Sequence, residues 1–221
     1  MRNLPEAATK IQRLSIPGSA GNLEALLELN PEWIPRQLAI VCHPHPLYGG
    51  SMHNKVVFRA AKAAINMGVP ALRFNFRGVG HSEGEHAGGI GEREDARAAL
   101  DYLTGRFPRV PVLMMGFSFG SVVALFVGSA DLRVNSLAGI GLPINSSDFS
   151  FLREVRKPKL IVQGAQDQFG SREKVAQLYS SLQEPKRLRF VEGADHFLTG
   201  KLQDLQVEIE EFLQGILNPL Q

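Results

Sequence analysis

The sequence predicts an α/β protein: a mainly parallel central sheet with helices on both faces and an antiparallel strand pair at its N-terminal end. Three observations carry this. From Gln37 onward, short apolar runs alternate with stretches of helical periodicity. The runs Gln37–Cys42 and Val110–Met115 are apolar at nearly every position, as expected of strands covered on both faces. Upstream, Lys10 to Ile16 and Gly21 to Leu29 alternate loosely about the turn residues Pro17-Gly18-Ser19-Ala20, the pattern of a hairpin.

In order, Pro31 and Pro35 place Trp33 in a loop, and the strand to Cys42 ends in the irregular segment His43-Pro44-His45-Pro46-Leu47-Tyr48-Gly49-Gly50, where two prolines fix φ. Asn54 to Met67 carries Val57, Ala60, Ala61, Ala64 and Ile65 at helical spacing, with Gly68 placed to stop it. Val69 to Phe76 reads as a strand and is followed by the glycine-rich loop Arg77–Gly84. Glu92 to Arg106 is a helix whose apolar stripe is Ala96, Ala99, Leu100 and Leu103. The strand to Met115 comes next, then an apolar helix from Ser118 to Gly128. Val134 to Leu142 is a strand weakened by Gly139 and Gly141. Asn145 to Arg156 is polar, with one short helix at most. Lys159 to Gln163 (strand), Arg172 to Leu182 (helix), Arg187 to Val191 (strand) and Lys201 to Leu217 (helix) complete the chain.

Bulk properties narrow the function. A chain of 221 residues with 44% apolar and 21% charged positions is ordinary globular composition and reads as one domain over 1–221. A formal charge of +2, evenly spread, leaves no footprint for nucleic acid. No apolar run is long enough to span a bilayer, and Met1–Lys10 contains no apolar leader core. With a single cysteine, Cys42, no internal disulfide forms, which fits a reducing, cytoplasmic compartment. The N-terminal strand pair offers an exposed edge through which a homodimer could form.

The chemistry centres on Gly116-Phe117-Ser118-Phe119-Gly120. A serine between strand and helix, with glycine two residues to either side, forms a turn so tight that a Cβ at either flank would collide with its neighbours. The hydroxyl is thereby lifted clear of the sheet. The pattern is not unique, since Gly80-His81-Ser82-Glu83-Gly84 repeats it, but Glu85-His86-Ala87-Gly88-Gly89 cannot start a helix there. Ser118 is therefore the expected nucleophile. A serine hydroxyl needs a base, and the base needs a partner that holds its tautomer. Asp167 follows the strand ending at Gln163, His196 follows the strand ending at Val191, and the order Ser118, Asp167, His196 is the one this architecture uses. Asp148 is a rival acid, because some folds of this kind carry theirs after the preceding strand. Asp195 reads as a turn residue.

The chain resembles the α/β-hydrolases along nearly its whole length, the final residues excepted. More narrowly it resembles small lidless bacterial serine hydrolases and carboxylesterases with a His-Pro-His-Pro loop, relatives of the dienelactone-hydrolase-like proteins. The stretches that carry the likeness are Cys42–Met52, Phe76–Ser82, Gly116–Gly120 and Gly193–His196. The resemblance implies hydrolysis of esters or related acyl compounds by Ser118, His196 and Asp167. Dienelactone hydrolases proper use a cysteine nucleophile, and this chain departs from them there. In this fold one oxyanion donor is the backbone N–H after the nucleophile, that of Phe119, and the other comes from the loop after the Cys42 strand. Pro44 and Pro46 have no N–H, so His45 takes that position, with Leu47 as the alternative.

The expected activity is cleavage of small carboxylic esters, with no metal or organic cofactor. A thioesterase or peptide acyl hydrolase would use the same three residues, and a catalytically silent binding module is the reading from another class. The short connection between the Leu142 and Lys159 strands leaves no room for a lid, so short acyl chains are expected to be preferred. Other candidates have structural readings. His43, His45, His53 and Cys42 lack the spacing of a metal site. Cys42 sits in an apolar run where thiols are inert. His81 and His86 read as surface loop residues. Arg77 ties down the glycine-rich loop or, as the weaker alternative, meets a substrate carboxylate.

Overall fold

The computed structural model describes residues 9–218. Most of the N-terminal stretch Met1–Lys10, on which the leader reading rests, and the last three residues lie outside them. Eight strands form one sheet in the order β1 (Lys10–Gly18), β2 (Gly21–Leu29), β4 (Ala71–Phe74), β3 (Leu38–Cys42), β5 (Val112–Phe117), β6 (Val134–Ile140), β7 (Lys159–Gly164) and β8 (Lys186–Val191). β1 pairs antiparallel with β2, and β2 antiparallel with β4. From β4 through β8 every pairing is parallel. The mixed, mostly parallel sheet agrees with the expectation.

Side chains alternate across the buried strands, and each face meets its own helices. Leu38, Ile40 and Cys42 of β3 with Val112 and Met114 of β5 point into one apolar layer, closed by α2 (Ile90–Arg106), α3 (Phe119–Ala130) and α4 (Arg172–Ser181). Ala39, Val41, Leu113, Met115 and Phe117 point into the other, closed by α1 (Lys55–Asn66) and α5 (Leu202–Leu217). Among the described residues no helix is long and apolar enough to cross a membrane.

Several boundaries differ from the sequence reading, each for a backbone reason. The strand before the serine runs over Val112–Phe117 rather than Val110–Met115, because Pro111 cannot donate to the ladder. β4 begins after Pro70 and stops at Phe74, since the Phe76 N–H is taken by the His43 imidazole at 3.0 Å. β6 ends at Ile140, where Gly141 turns the chain at φ +56°. The polar stretch after β6 holds a single 3-10 turn, Ser150–Glu154. A second one, Pro46–Tyr48, lies in what read as irregular loop, capped by the His45 side chain.

These pieces bring the C-terminal ends of β3, β5, β7 and β8 to one edge of the sheet, where open parallel sheets hold their ligands.

Candidate active site

The turn between β5 and α3 carries the strain the sequence implies. Ser118 sits at φ 54°, ψ −122°, a conformation non-glycine residues rarely adopt. Its N–H donates to the Ile140 carbonyl of β6 at 2.9 Å, which pins the residue to the sheet. Ser118 therefore precedes α3 rather than starting it. Both flanking glycines are required by close approach. A Cβ on Gly116 would lie 2.1 Å from the Gly120 carbonyl oxygen, and one on Gly120 would lie 2.3 Å from that of Cys42. The second contact also seats the β3 loop directly against the start of α3.

Two later strand ends deliver the partners. His196 Nδ1 lies 2.7 Å from Asp167 Oδ2, and its Nε2 lies 2.9 Å from Ser118 Oγ. A carboxylate only accepts, so Nδ1 carries the proton and the neutral ring presents Nε2 as the acceptor of the Ser118 hydroxyl proton. The imidazole is 3% exposed and Asp167 is 6% exposed, so the chain of hydrogen bonds is shielded from competing water. Asp167 is itself held fast: Oδ1 accepts the Phe169 N–H at 2.8 Å, and Oδ2 also accepts Gln163 Nε2 at 2.7 Å.

Gln163 was not singled out from the sequence, although a polar residue closing the run Leu160-Ile161-Val162 was a signal. It is fully buried. Its Oε1 accepts the Leu142 N–H at 2.8 Å, and its Nε2 donates to the Gly170 carbonyl at 3.1 Å. One amide thus joins the ends of β6 and β7 to the carboxylate.

The rival acid goes elsewhere. Asp148 accepts from the Ser150 N–H and hydroxyl and is exposed. Asp195 caps its own turn, accepting from the Phe197 and Thr199 N–H groups and the Thr199 hydroxyl.

On the opposite side of Ser118 lies the loop after β3. The His45 and Phe119 N–H groups donate to no acceptor among the described residues. The Leu47 N–H, the alternative donor, is occupied by His45 Nδ1 at 3.2 Å. This loop is braced by His43, whose Nδ1–H donates to the Pro44 carbonyl at 2.6 Å while Nε2 accepts the Phe76 N–H. That pair of bonds needs the neutral ring, and burial pushes the His43 pKa down to about 4.

The cleft has a volume of ≈ 440 Å3 and is lined by Ser118, His196, His45, Phe119, Tyr48, Phe169 and Phe197 among others. The Phe119 ring packs at a tilt against His45 and His86, with ring centroids 4.8 and 5.8 Å apart. This corrects the reading of His86 as a surface residue. It is drawn in by Glu92, whose buried carboxylate lies 2.8 Å from His86 Nδ1 and also accepts the Ala87 and Gly89 N–H groups at the start of α2. Burial lowers the His45 pKa, and the His86 ring, 4.9 Å away, adds to the effect. His81 is exposed.

The remaining candidates are structural. Arg77 Nε and Nη2 clasp the buried Asp95 at 3.0 and 2.7 Å, which ties the glycine-rich loop to α2. Cys42 is fully buried, and burial raises its thiol pKa.

A family model described as an alpha/beta hydrolase domain matches residues 39–216. The chain belongs to the α/β hydrolase family. A Rickettsia prowazekii protein, RP471, is 38% identical to this hydrolase over 185 residues, 80% of this chain and 78% of that one. Among solved structures, XC6422 of Xanthomonas campestris, described as an α/β serine hydrolase without a lid, superposes with a TM-score of 0.85 at 34% identity, covering 93% of this chain and 94% of that one. An α/β serine hydrolase homologue from Coxiella burnetii gives a TM-score of 0.85 at 36% identity over 91% of this chain and 97% of that one. The hydrolase is thus similar to a relative without a lid, and its own β6–β7 connection holds one 3-10 turn among the described residues.

Proposed function

We propose that this α/β hydrolase is a serine esterase acting on small carboxylic esters through an acyl-enzyme. The observation that carries the reading is the continuous hydrogen-bonded chain from Ser118 Oγ through His196 to Asp167, opening on a cleft beside two unpaired backbone N–H groups.

Ser118 Oγ attacks the ester carbonyl as His196 Nε2 takes the hydroxyl proton, and Asp167 stabilises the imidazolium that forms. The Phe119 and His45 N–H groups donate to the developing oxyanion, where one such donor contributes about 3 kcal/mol to transition-state stabilisation. Collapse breaks the bond to the leaving oxygen, which takes the Nε2 proton and departs as alcohol. Water then attacks the acyl-Ser118, with His196 acting in reverse. The short β6–β7 connection and the open cleft favour short acyl chains. The cytoplasmic placement, based on the lone buried Cys42, belongs to the same proposal.

The test is covalent. A fluorophosphonate probe should label the protein at Ser118, and p-nitrophenyl esters should be cleaved fastest with acetyl or butyryl chains. Absence of labelling would remove the serine mechanism, while a rate maximum at long chains would remove the short-chain preference.

A further inference from the structure

Three aromatic rings surround the His196 imidazole, at centroid separations of 4.6 Å for Phe169, 5.1 Å for Phe117 and 5.3 Å for Phe197. Phe117 is fully buried and belongs to the core below. The other two differ. Phe169 is 46% exposed and Phe197 52% exposed, and both line the cleft. Each pairs with the imidazole edge-to-face and leaves apolar surface toward the opening.

Both are held at the backbone. The Phe169 N–H donates to Asp167 Oδ1 and its carbonyl accepts the Asn145 N–H at 3.1 Å, while the Phe197 N–H donates to Asp195 Oδ1. A backbone fixed before a ligand arrives adds little to the ordering cost of binding it.

Their position decides which part of a substrate they meet. The oxyanion must face the His45 and Phe119 N–H groups. The leaving oxygen must come within hydrogen-bond reach of His196 Nε2 to collect its proton. Whatever flanks the imidazole therefore flanks the alcohol portion of the ester. Charge narrows the class further. None of the residues lining the cleft is Lys, Arg, Asp or Glu, and Arg77, the one residue the sequence offered for a substrate carboxylate, is engaged with Asp95. An ionised group on the alcohol would lose water here without gaining a partner.

We propose that Phe169 and Phe197 form a leaving-group subsite for uncharged aromatic alcohols, so that the preferred substrates are neutral esters of an arylmethyl or similar aromatic alcohol. The inference rests on the assignment of Ser118 as nucleophile and His196 as base. In the step concerned, the bond between the acyl carbon and the alcohol oxygen breaks, its electron pair stays with that oxygen, and the Nε2 proton joins it. A neutral aromatic alcohol then leaves across the two rings while the acyl group remains on Ser118.

The experiment compares kcat/KM for four acetate esters on the wild-type enzyme: benzyl, methyl, cyclohexylmethyl and 4-carboxybenzyl. Benzyl alcohol and methanol are similarly acidic, so leaving-group reactivity does not imitate recognition. Benzyl acetate should exceed methyl acetate by at least about tenfold, with two aromatic contacts each contributing several-fold. It should also exceed both the cyclohexylmethyl and the 4-carboxybenzyl ester. Phe169→Leu and Phe197→Leu should each lower the benzyl-to-methyl ratio by about threefold or more. Reading the ratio on one enzyme matters because these rings touch His196: damage to the base slows both esters alike and leaves the ratio unchanged. Ser118-dependent turnover with equal benzyl and methyl rates overturns this inference alone. Equal benzyl and cyclohexylmethyl rates overturn its aromatic part, and equal benzyl and carboxybenzyl rates its requirement for neutrality. No turnover of any ester above the Ser118→Ala background overturns the esterase reading and this inference with it.

Discussion

The molecule contains the pentapeptide Gly-x-Ser-x-Gly twice, and the two copies have opposite fates. At Gly116–Gly120 the serine is forced to a positive φ between strand and helix, and its hydroxyl meets the His196 imidazole. At Gly80–Gly84 the serine is an internal brace. Ser82 Oγ donates to the Asn75 carbonyl at 2.8 Å and accepts the Glu24 N–H at 2.9 Å, so its hydrogen-bonding capacity is satisfied within the protein. The glycines differ as well. Gly116 and Gly120 permit backbones to touch, whereas Gly80 and Gly84 sit at φ +59° and +82°, where the backbone itself favours glycine. A hydroxyl between two glycines is no more than an opportunity; the element that follows determines whether it is presented or buried.

The sharpest way to break this comparison is to remove each hydroxyl in turn. Ser118→Ala should lower kcat for a p-nitrophenyl ester by about 10^4-fold or more and abolish fluorophosphonate labelling. Next in size, Asp167→Asn should cost about 10^4-fold in kcat by releasing the wrong imidazole tautomer. Asp148→Asn, at an exposed residue bonded only to its own turn, should change kcat by less than about twofold. If Asp148→Asn proved the damaging change, the acid assignment would move.

Ser82→Ala should leave labelling intact and act on stability instead. It strips buried partners from the Glu24 N–H and the Asn75 carbonyl, an expected loss of about 2–3 kcal/mol in urea unfolding. A labelling defect with unchanged stability would contradict the brace.

The last prediction concerns the link between the two regions, since His43 joins the loop beside the Ser118 turn to the backbone leading into the Ser82 loop. Its folded pKa of about 4 lies below the value of about 6.5 expected of the unfolded chain. As pH falls through 6.5 the unfolded chain takes up a proton that the native ring refuses. This contribution to stability is therefore intact above about pH 6.5 and is lost progressively toward pH 4, by about 2 kcal/mol between pH 7 and 5. Urea unfolding at those two pH values should show this loss, and His43→Gln should lose less over the same interval.

Much of this site was legible because its pieces are local. Ser118 is announced by its own glycines, strand and helix, and Asp167 and His196 each follow an apolar run that ends in turn residues. Gln163 was harder to read, because its significance lies in bonds to Leu142, Asp167 and Gly170, which belong to three different segment ends. His86 misled because a polar residue in a glycine-rich loop ordinarily faces water; the buried Glu92 and the Phe119 ring draw it inward instead. Phe169 and Phe197 follow the acid and the base so closely that sequence alone gave them no separate role.

Hydrophobic periodicity, proline and glycine placement and the order of the reactive residues are properties of short segments, and from them alone follow the α/β architecture, the strained serine turn and a base with two candidate acids to serve it. Tertiary structure decided which buried amide braces Asp167, which loop N–H stays free once His45 binds that of Leu47, and which rings stand beside His196. Those outcomes depend on the pairing of groups far apart in the chain, and a donor or a ring face is free or occupied only after the sheet has brought its competitors together.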